Sequence, residues 1–357
     1  MKKGLNILIY CLALFSCAKF HYHDITDGHK TYVNVVMTVQ EDVDSFSADF
    51  KTGLLYDWDE LRYGKIDDYN VDTVLCKIFN ESLEIVDEIE IALGKEKALK
   101  IEYPNLYNML IYNKTYSTKY SFNGLKYNCE VGYLGKEPSF NFTEQYGVIN
   151  QCEKQYTVYE RDLFSVFDEN KIEPYEKSIE KDGTVTFYCY DSVLLAQISF
   201  VYLVQIIIHD DDKEIPMLVT SCDYIGISGV AEMAEMFEKK NGIYKGVIEL
   251  NDIKPLQFRE DYAVCCSKLI TYGLPSKKES SWGESQKCEI GLQFSLSNGT
   301  VKRGKVSAAR KFIEKPKGGI ITVAVNNSDI YKSSDYQNNG MDVDVEQWDE
   351  YVFDILF

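Results

Sequence analysis

The chain has 357 residues and a formal net charge of −18, with 56 acidic residues against 38 basic ones. A protein this acidic repels nucleic acid and anionic lipid at long range, which excludes both as partners held by charge. Its 27 tyrosines and 18 phenylalanines, often alternating with polar residues, favour strands over helices. The length is sufficient for two domains of ordinary size.

The N-terminus has the pattern of a bacterial lipoprotein signal. Two lysines precede an apolar run, Leu5–Phe15, that is too short to span a bilayer. The run ends in Leu14-Phe15-Ser16-Cys17, where a small residue stands before the cysteine whose thiol would receive the lipid. We therefore expect a signal peptide over residues 1–16, acylation at Cys17 and a polar tether over residues 17–30.

From residue 31 the pattern is that of short strands. Val33, Val35, Met37 and Val39 recur at every second position, which predicts a strand with one apolar face. The further strands expected in this region are Leu54–Trp58, Val71–Phe79, Glu84–Leu93 and Met109–Tyr112. The first domain is placed at residues 31–175, with a linker around residues 170–178.

The second domain is expected over residues 176–357. Its most apolar stretch, Ser199–Ile208, is predicted to be a buried core strand. Gly229–Asn241 is predicted to be a short helix, because its apolar residues share one face and Gly242 follows as a stop. The other expected strands are Thr184–Tyr190, Ile243–Leu250, Ala263–Tyr272, Glu289–Leu296, Gly319–Val325 and one within Val343–Leu356. Short strands separated by turn signals predict an all-β protein of two successive β-sandwiches.

The cysteine count permits disulfides without assigning them. Once Cys11 and Cys17 are placed in the signal, eight remain: Cys76, Cys129, Cys152, Cys189, Cys222, Cys265, Cys266 and Cys288. An even number in an exported protein is compatible with disulfides, and a large domain can also hold plain buried thiols. Cys129 and Cys152 flank one loop-rich stretch and are the first pair to test. Zinc is not expected, because the histidines do not stand at ligand spacing from the cysteines.

Two acidic stretches are candidate cation sites, and each has a plainer interpretation. Asp342, Asp344 and Glu346 share one face of the expected last strand and could bind calcium, but a solvated edge-strand face is favoured. His209-Asp210-Asp211-Asp212 could bind a metal, but a charge run after a buried strand is more often a solvated turn. We therefore predict neither a metal site nor a cofactor.

Catalytic and sugar-binding motifs are equally weak. Gly226-Ile227-Ser228-Gly229 is one residue short of a nucleophile elbow, and His209 is the one histidine in a predicted domain. The sequence has no phosphate-binding or dinucleotide-binding loop, so we predict that the protein is not an enzyme. Trp58 and Trp348 could stack on a sugar, but capping of the sandwich cores is the favoured interpretation.

Several motifs occur in order along the chain. They are the lipobox at Cys17, Tyr56-Asp57-Trp58-Asp59, Leu110-Ile111-Tyr112-Asn113, Ser228-Gly229-Val230-Ala231, Gly318-Gly319-Ile320-Ile321, and Gly340–Trp348 running into Val352-Phe353-Asp354-Ile355. Taken in this order, they resemble those of Bacteroidetes lipoproteins related to fimbrial (fimbrillin-type) anchor and accessory subunits. The resemblance implies two transthyretin-like, Greek-key β-sandwiches and no catalysis. A donor-strand segment and a processing arginine are not evident, which fits an anchor or accessory subunit better than a polymerised stalk subunit.

The expected function is that of a non-enzymatic lipoprotein that anchors, assembles or provides adhesion for a fimbria-like structure. It would be held in the outer membrane by acylated Cys17 and face the cell surface in preference to the periplasm. Its expected partners are outer-membrane lipid and either pilin subunits or surface glycans. The alternative is a surface module that binds carbohydrate or a host protein.

Overall fold

The computed structural model describes residues 31–41, 48–66, 71–103, 107–123, 126–131, 147–149, 151–153, 155–160, 176–181, 183–209, 216–225, 230–233, 246–249, 256–259, 261–273 and 289–332. Strands dominate these residues, and the two α-helices among them are short. The predicted all-β class is therefore confirmed. Within the same ranges, no helix has the length and apolar character needed to cross a bilayer.

The described elements follow the chain in this order. The strands are β1 (Thr31–Glu41), β2 (Thr73–Phe79), β3 (Ile85–Ala92), β4 (Glu96–Tyr103), β5 (Asn108–Tyr112), β6 (Thr118–Asn123), β7 (Lys126–Val131), β8 (Gly147–Ile149), β9 (Tyr156–Glu160), β10 (Glu176–Ile179), β11 (Val185–Gln197), β12 (Phe200–His209), β13 (Pro216–Ile225), β14 (Val230–Glu232), β15 (Gly246–Glu249), β16 (Gln257–Phe258), β17 (Tyr262–Thr271), β18 (Glu289–Leu296), β19 (Val301–Ser307), β20 (Gly319–Asn326) and β21 (Tyr331–Lys332). The helices are α1 (Glu60–Tyr63) and α2 (Ala309–Glu314), and a 3₁₀ turn spans Asn327–Asp329.

The chain divides into two compact units that interleave along the sequence. Of the described residues, those up to 41, from 72 to 111 and from 159 to 194 belong to unit 1, and the remainder belong to unit 2. The sequence predicts that the second domain begins at residue 176. Unit 1 nevertheless contains β10 and most of β11, which lie at or after this residue. These units are not successive along the chain, because β11 lies next to β1 in a sheet. The spacing of residues along the sequence does not reveal such a pairing.

The described strands form four sheets. Their orders are β3-β2-β5-β9-β11-β1-β4 with β10 against β11, then β16-β17-β12-β20, then β21-β19-β18-β13-β15-β8, and finally β14-β7-β6. In the first sheet β1 runs antiparallel to β4, from Thr31 opposite Tyr103 to Thr38 opposite Glu96. The alternation read from the sequence of β1 is confirmed, because Val33, Val35, Met37 and Val39 are buried.

Strand β12 is an inner strand of the sheet β16-β17-β12-β20 in unit 2. It pairs antiparallel with β17 along its whole length and parallel with β20 from Tyr202 onward. Every residue from Phe200 to Ile208 is buried, which confirms the core strand predicted from this apolar run. Helix α2 packs beside the strand through Phe312, whose ring lies 4.8 Å from the ring of Tyr202.

The turn before β20 brings two backbones into close approach. Gly318 has a φ of 94°, and a Cβ atom at this position would collide with the carbonyl oxygen of Val201. Glycine is the residue that can both adopt this backbone conformation and leave room for the neighbouring strand. The Gly318-Gly319 pair therefore allows β20 to enter the sheet beside β12.

Two predictions of secondary structure are wrong at described residues. The range predicted as a helix, Gly229–Asn241, begins with strand β14, whose residues Val230 and Ala231 pair with Glu130 and Cys129 of β7. This pairing overrides the helical spacing of the apolar residues, and residues 234–241 lie outside the described part. Leu54–Trp58, predicted as a strand, is not in strand conformation and belongs instead to an irregular segment described next.

Candidate functional site

The residues singled out for chemistry are mostly outside the described ranges. This holds for the lipidation residue Cys17, for the carboxylates Asp342, Asp344 and Glu346, for Asp210 to Asp212, for Ser228 and for Trp348. His209 ends β12, and its ring lies 5.9 Å from the ring of Tyr262. Across the described ranges, no three His, Cys, Asp or Glu side chains stand close enough together to hold a metal ion.

A long irregular segment, residues 48–66, packs on one face of the sheet formed by β16, β17, β12 and β20. Its Tyr56 is buried in a cluster with Leu203 and Ile207 of β12 and with Val264 and Cys266 of β17. The apolar residues that join this cluster from the segment are Phe50, Leu54, Leu55, Trp58 and Ile66. The segment therefore supplies the apolar cover that this face of the sheet needs.

The side chain of Gln205 fastens this segment to β12. Its amide oxygen accepts a hydrogen bond from the backbone N–H of Leu55 at 2.6 Å. Its amide nitrogen donates to the carbonyl oxygen of Gly53 and to the hydroxyl of Thr322, each at 2.9 Å. Gln205 has no exposed surface, and these bonds satisfy an amide that would otherwise be costly to bury.

The end of the segment is built around Asp59 and Trp58. The Asp59 carboxylate accepts from the backbone N–H groups of Leu61 and Arg62 and so caps helix α1. The Trp58 indole N–H donates to the carbonyl oxygen of Gly64 at 2.7 Å, and its ring lies 5.6 Å from that of Tyr63. Trp58 is half-buried in the apolar cluster, so the structure favours a packing role for it over a sugar platform.

A second set of polar contacts, which we call the Asn113–Gln155 network, lies deep in unit 2. The side-chain oxygen of Asn113 accepts from the backbone N–H of Tyr156 at 2.7 Å and from the Gln155 amide at 3.0 Å. The Tyr120 hydroxyl donates to the Gln155 side-chain oxygen at 2.9 Å, and the backbone N–H of Gln155 donates to the Ser199 hydroxyl at 2.6 Å. The network joins the chain after β5, strand β6, the start of β9 and the start of β12.

The groups of this network are suited to holding stretches of chain together. Its members are amides and hydroxyls, and burial raises the pKa of Tyr120, which keeps this phenol neutral. Neither Gln205 nor Gln155 was picked out from the sequence as functional. The one signal for Gln205 is an amide inside a run of apolar residues, and Gln155 gives no comparable signal because its partners are distant in sequence.

The described thiols are all buried. Cys76, Cys129, Cys152, Cys265 and Cys266 are not joined to one another in this structure. Burial raises the pKa of Cys76, of Cys129 and of Cys265 to about 12, and the pKa of Cys152 also lies well above its ordinary value. In the folded protein these groups are therefore neutral and poorly reactive.

Comparison with known proteins gives structural neighbours alone. No protein-family model matches the chain, and no curated protein matches it. Among solved structures, it is similar to a candidate adhesin of Bacteroides ovatus, with 13% identity, a TM-score of 0.46 and coverage of 85% of this chain and 95% of that one.

Two further neighbours come from Porphyromonas gingivalis. The fimbrial anchor protein Mfa2 shares 9% identity with a TM-score of 0.39, over 83% of this chain and 90% of that one. The tip fimbrial protein Mfa3, with a C-terminal truncation, shares 8% identity with a TM-score of 0.29, over 78% and 81% of the two chains. The similar structures thus include adhesin-type and fimbrial proteins of Bacteroidetes.

Proposed function

We propose that the protein is a non-enzymatic lipoprotein of the cell surface that anchors, assembles or provides adhesion for a fimbria-like structure. The observation that carries the proposal is the order of features along the chain. A lipobox ending at Cys17 is followed by a polar tether and then by a β-rich body. An acylated cysteine joined to such a body is suited to holding something at a fixed place, since the two acyl chains of the diacylglycerol that the cysteine would receive are enough for stable membrane anchoring.

The use of polar groups inside the body supports a mechanical role. Gln205 holds the 48–66 segment on its sheet, and the Asn113–Gln155 network joins four stretches of chain. Two motifs of the fimbrial resemblance fall at these places. Tyr56-Asp57-Trp58-Asp59 lies in the covering segment, and Leu110-Ile111-Tyr112-Asn113 ends in the network. The motifs therefore coincide with residues that stabilise unit 2.

The experiment is deletion of the gene, followed by electron microscopy of fimbriae on intact cells. We expect fewer attached fimbriae, or fimbriae of altered length, and recovery when the gene is restored. Restoring it with Cys17→Ser should instead release protein and fimbriae into the medium, because the lipid acceptor is lost. A deletion strain whose fimbriae are unchanged in number, length and attachment would contradict the proposal.

A further inference from the structure

Strand register places five side chains on one face of the sheet β16-β17-β12-β20. Gln205 of β12 stands opposite Cys266 of β17 and beside Thr322 of β20. Side chains alternate between the two faces of a sheet, so Leu203 and Ile207 share the face of Gln205. We call the surface formed by these five residues the Gln205 face. It is the surface on which the 48–66 segment packs.

The 48–66 segment covers the Gln205 face while burying little of its own surface. Tyr56 is the one buried side chain among residues 48–66, and Leu54, Leu55 and Trp58 are half-buried. None of these described residues is in strand conformation, so no backbone ladder joins them to the sheet. The cover therefore depends on the packing of side chains and on side-chain hydrogen bonds.

Two strand residues bond the backbone of the segment through their side chains. The Gln205 amide bonds the Leu55 N–H and the Gly53 carbonyl oxygen. The Lys268 ammonium group donates to the carbonyl oxygen of Lys65 at 3.1 Å, and the register of β17 places Lys268 on the Gln205 face as well. Breaking these bonds and the apolar packing would separate the segment from the sheet without opening a strand pair.

The segment also has hydrogen bonds of its own that do not involve the sheet. The Asp49 carboxylate accepts from two backbone N–H groups of the turn that follows it. Asp59 caps α1, and the Trp58 indole donates to the carbonyl oxygen of Gly64. Because these bonds have both partners within the segment, they can persist when the segment leaves the sheet. The segment is therefore able to move as one unit.

The sheet beneath the segment is held together independently of it. Strand β12 pairs with β17 along its whole length and with β20 from Tyr202 onward. On the other face of the sheet, Phe312 of α2 packs on Tyr202, and Cys265 stands opposite Ile206. The ladders and this second face are unchanged when the Gln205 face is uncovered. A local opening that leaves the ladders intact costs less free energy than unfolding of the whole unit.

We propose that the 48–66 segment is a releasable cover, which lifts from the Gln205 face as one unit while the sheet and α2 stay folded. Lifting uncovers Leu203, Ile207 and Cys266 together and frees the amide of Gln205. The segment is thus a conformational switch between a covered and an uncovered sheet face. The switch lies within unit 2, goes beyond the anchoring proposed above and does not depend on it.

The test uses Cys266 as a probe and Cys265 as its matched control, since the two are consecutive, equally buried and on opposite faces. Reduced full-length protein is pulsed with N-ethylmaleimide in increasing urea, at concentrations where labelling is proportional to reagent, and the peptides are mapped by mass spectrometry. Each rate is divided by the rate of the same thiol in the unfolded chain.

We expect Cys266 to be labelled at least about tenfold faster than Cys265 in the absence of urea. Its rate should respond weakly to urea, because lifting exposes little surface, whereas the rate of Cys265 should rise steeply, because it requires the sheet to unfold. Equal rates with the same urea dependence would show that both thiols are exposed by one global event, and would overturn the proposal.

Hydrogen exchange at Leu55 reports the same opening from the other side of the contact, since its N–H bonds Gln205. The opening equilibrium constants from Leu55 exchange and from Cys266 labelling should agree within about threefold. Exchange at Leu55 that indicates more than about tenfold more opening than Cys266 labelling would show fraying of single residues instead of lifting as a unit. That result would also overturn the proposal.

A pair of conservative substitutions separates lifting from loss of overall stability. Ile207→Val lies on the Gln205 face, and Ile321→Val lies on the opposite face of β20; both residues are buried. In the absence of urea, Ile207→Val should speed labelling of Cys266 by about two- to tenfold, whereas Ile321→Val should leave that rate unchanged and speed Cys265 alone. Equal acceleration of Cys266 by the two substitutions would contradict a separate opening of the segment.

Discussion

Strands β12 and β3 are both rich in isoleucine and valine, yet their surroundings are opposite. Strand β12 has β17 on one side, β20 on the other and the 48–66 segment over one face, and its residues up to Ile208 are buried. Among the described residues, strand β3 is the last strand of its sheet and pairs with β2 alone, and it is exposed from Ile85 to Glu88. Whether the edges and faces of a strand are covered, more than its composition, therefore determines how much each of its side chains contributes to the free energy of unfolding.

The same difference explains which polar residues each strand tolerates. Strand β12 contains Gln205, whose buried amide needs all of its three hydrogen bonds. Strand β3 contains Asp87, Glu88 and Glu90, which are exposed to water, and charges along an edge discourage pairing with another chain. A buried polar group in β12 must have hydrogen-bond partners within the protein, whereas polar groups in β3 are solvated.

The largest expected effect separates the two strands directly. Leu203→Ala in β12 removes a fully buried side chain and should lower the free energy of unfolding by about 3 kcal/mol. The matched change Val86→Ala in β3, at a residue that is 50% exposed, should lower it by less than about 0.5 kcal/mol. Urea unfolding followed by circular dichroism measures both. Similar losses from the two substitutions would contradict the expected difference between β12 and β3.

The next effect concerns the amide in β12. Gln205→Leu leaves the Leu55 N–H and the Gly53 carbonyl without their partner, so we expect a loss of about 2 kcal/mol in the free energy of unfolding. Thr322→Val removes one of the three bonds and should cost about 1 kcal/mol. Hydrogen exchange at Leu55 should accelerate in the first variant and stay near the wild-type rate in the second. Unchanged exchange in Gln205→Leu would show that the amide does not hold the segment.

A smaller effect is expected at the edge strand, where Glu88 bonds the buried ammonium group of Lys77. The Glu88 side chain is 45% exposed, so solvent screens this ion pair. Glu88→Gln should therefore reduce the free energy of unfolding by about 1 kcal/mol, with the loss shrinking in high salt. Glu90→Gln on the same strand is the matched control. A larger loss for the control would contradict the pairing.

The smallest effect depends on pH and lies at the start of the covering segment. Hydrogen bonds from the Thr52 hydroxyl and from the backbone N–H groups of Lys51 and Thr52 lower the pKa of Asp49 to about 2. A lowered pKa in the folded state means that the contribution is present above the unfolded value of 3.8 and is lost as the pH falls through about 2. Asp49→Ala should lower the urea midpoint at neutral pH and have a much smaller effect at pH 2, where the carboxyl is already partly protonated in the folded state. An effect of equal size at both pH values would contradict this assignment.

Predictions from the sequence are correct where the deciding interactions are local, and they fail where the deciding partner is distant in sequence. The alternation in β1 and the apolar run of β12 are local patterns, and both strands are where those patterns indicate. Gly229–Asn241 has a helical spacing, but pairing of Val230 with Glu130, a hundred residues earlier in the chain, makes the start of this range a strand. Spacing along the sequence carries no information about such a partner.

The fastening residues were missed for the same reason. Gln205 bonds Leu55, which is 150 positions away, and Gln155 bonds Asn113, which is 42 positions away. Trp58 was visible in the sequence, but its bond to Gly64 and its place in the apolar cluster follow from the fold of the covering segment. The lipid site at Cys17 rests on a local motif and stays a prediction.

The most direct test of the central claim is a lipid-labelling experiment in the native host. Cells that produce the wild type or Cys17→Ser are grown with an alkyne analogue of palmitate, and intact cells are then treated with protease. We predict that the wild type carries the label, sediments with the outer membrane and is cleaved on intact cells, while Cys17→Ser carries no label and is released. A wild-type protein that carries no label, or that sediments with the membrane as well after Cys17→Ser as before, would contradict the account.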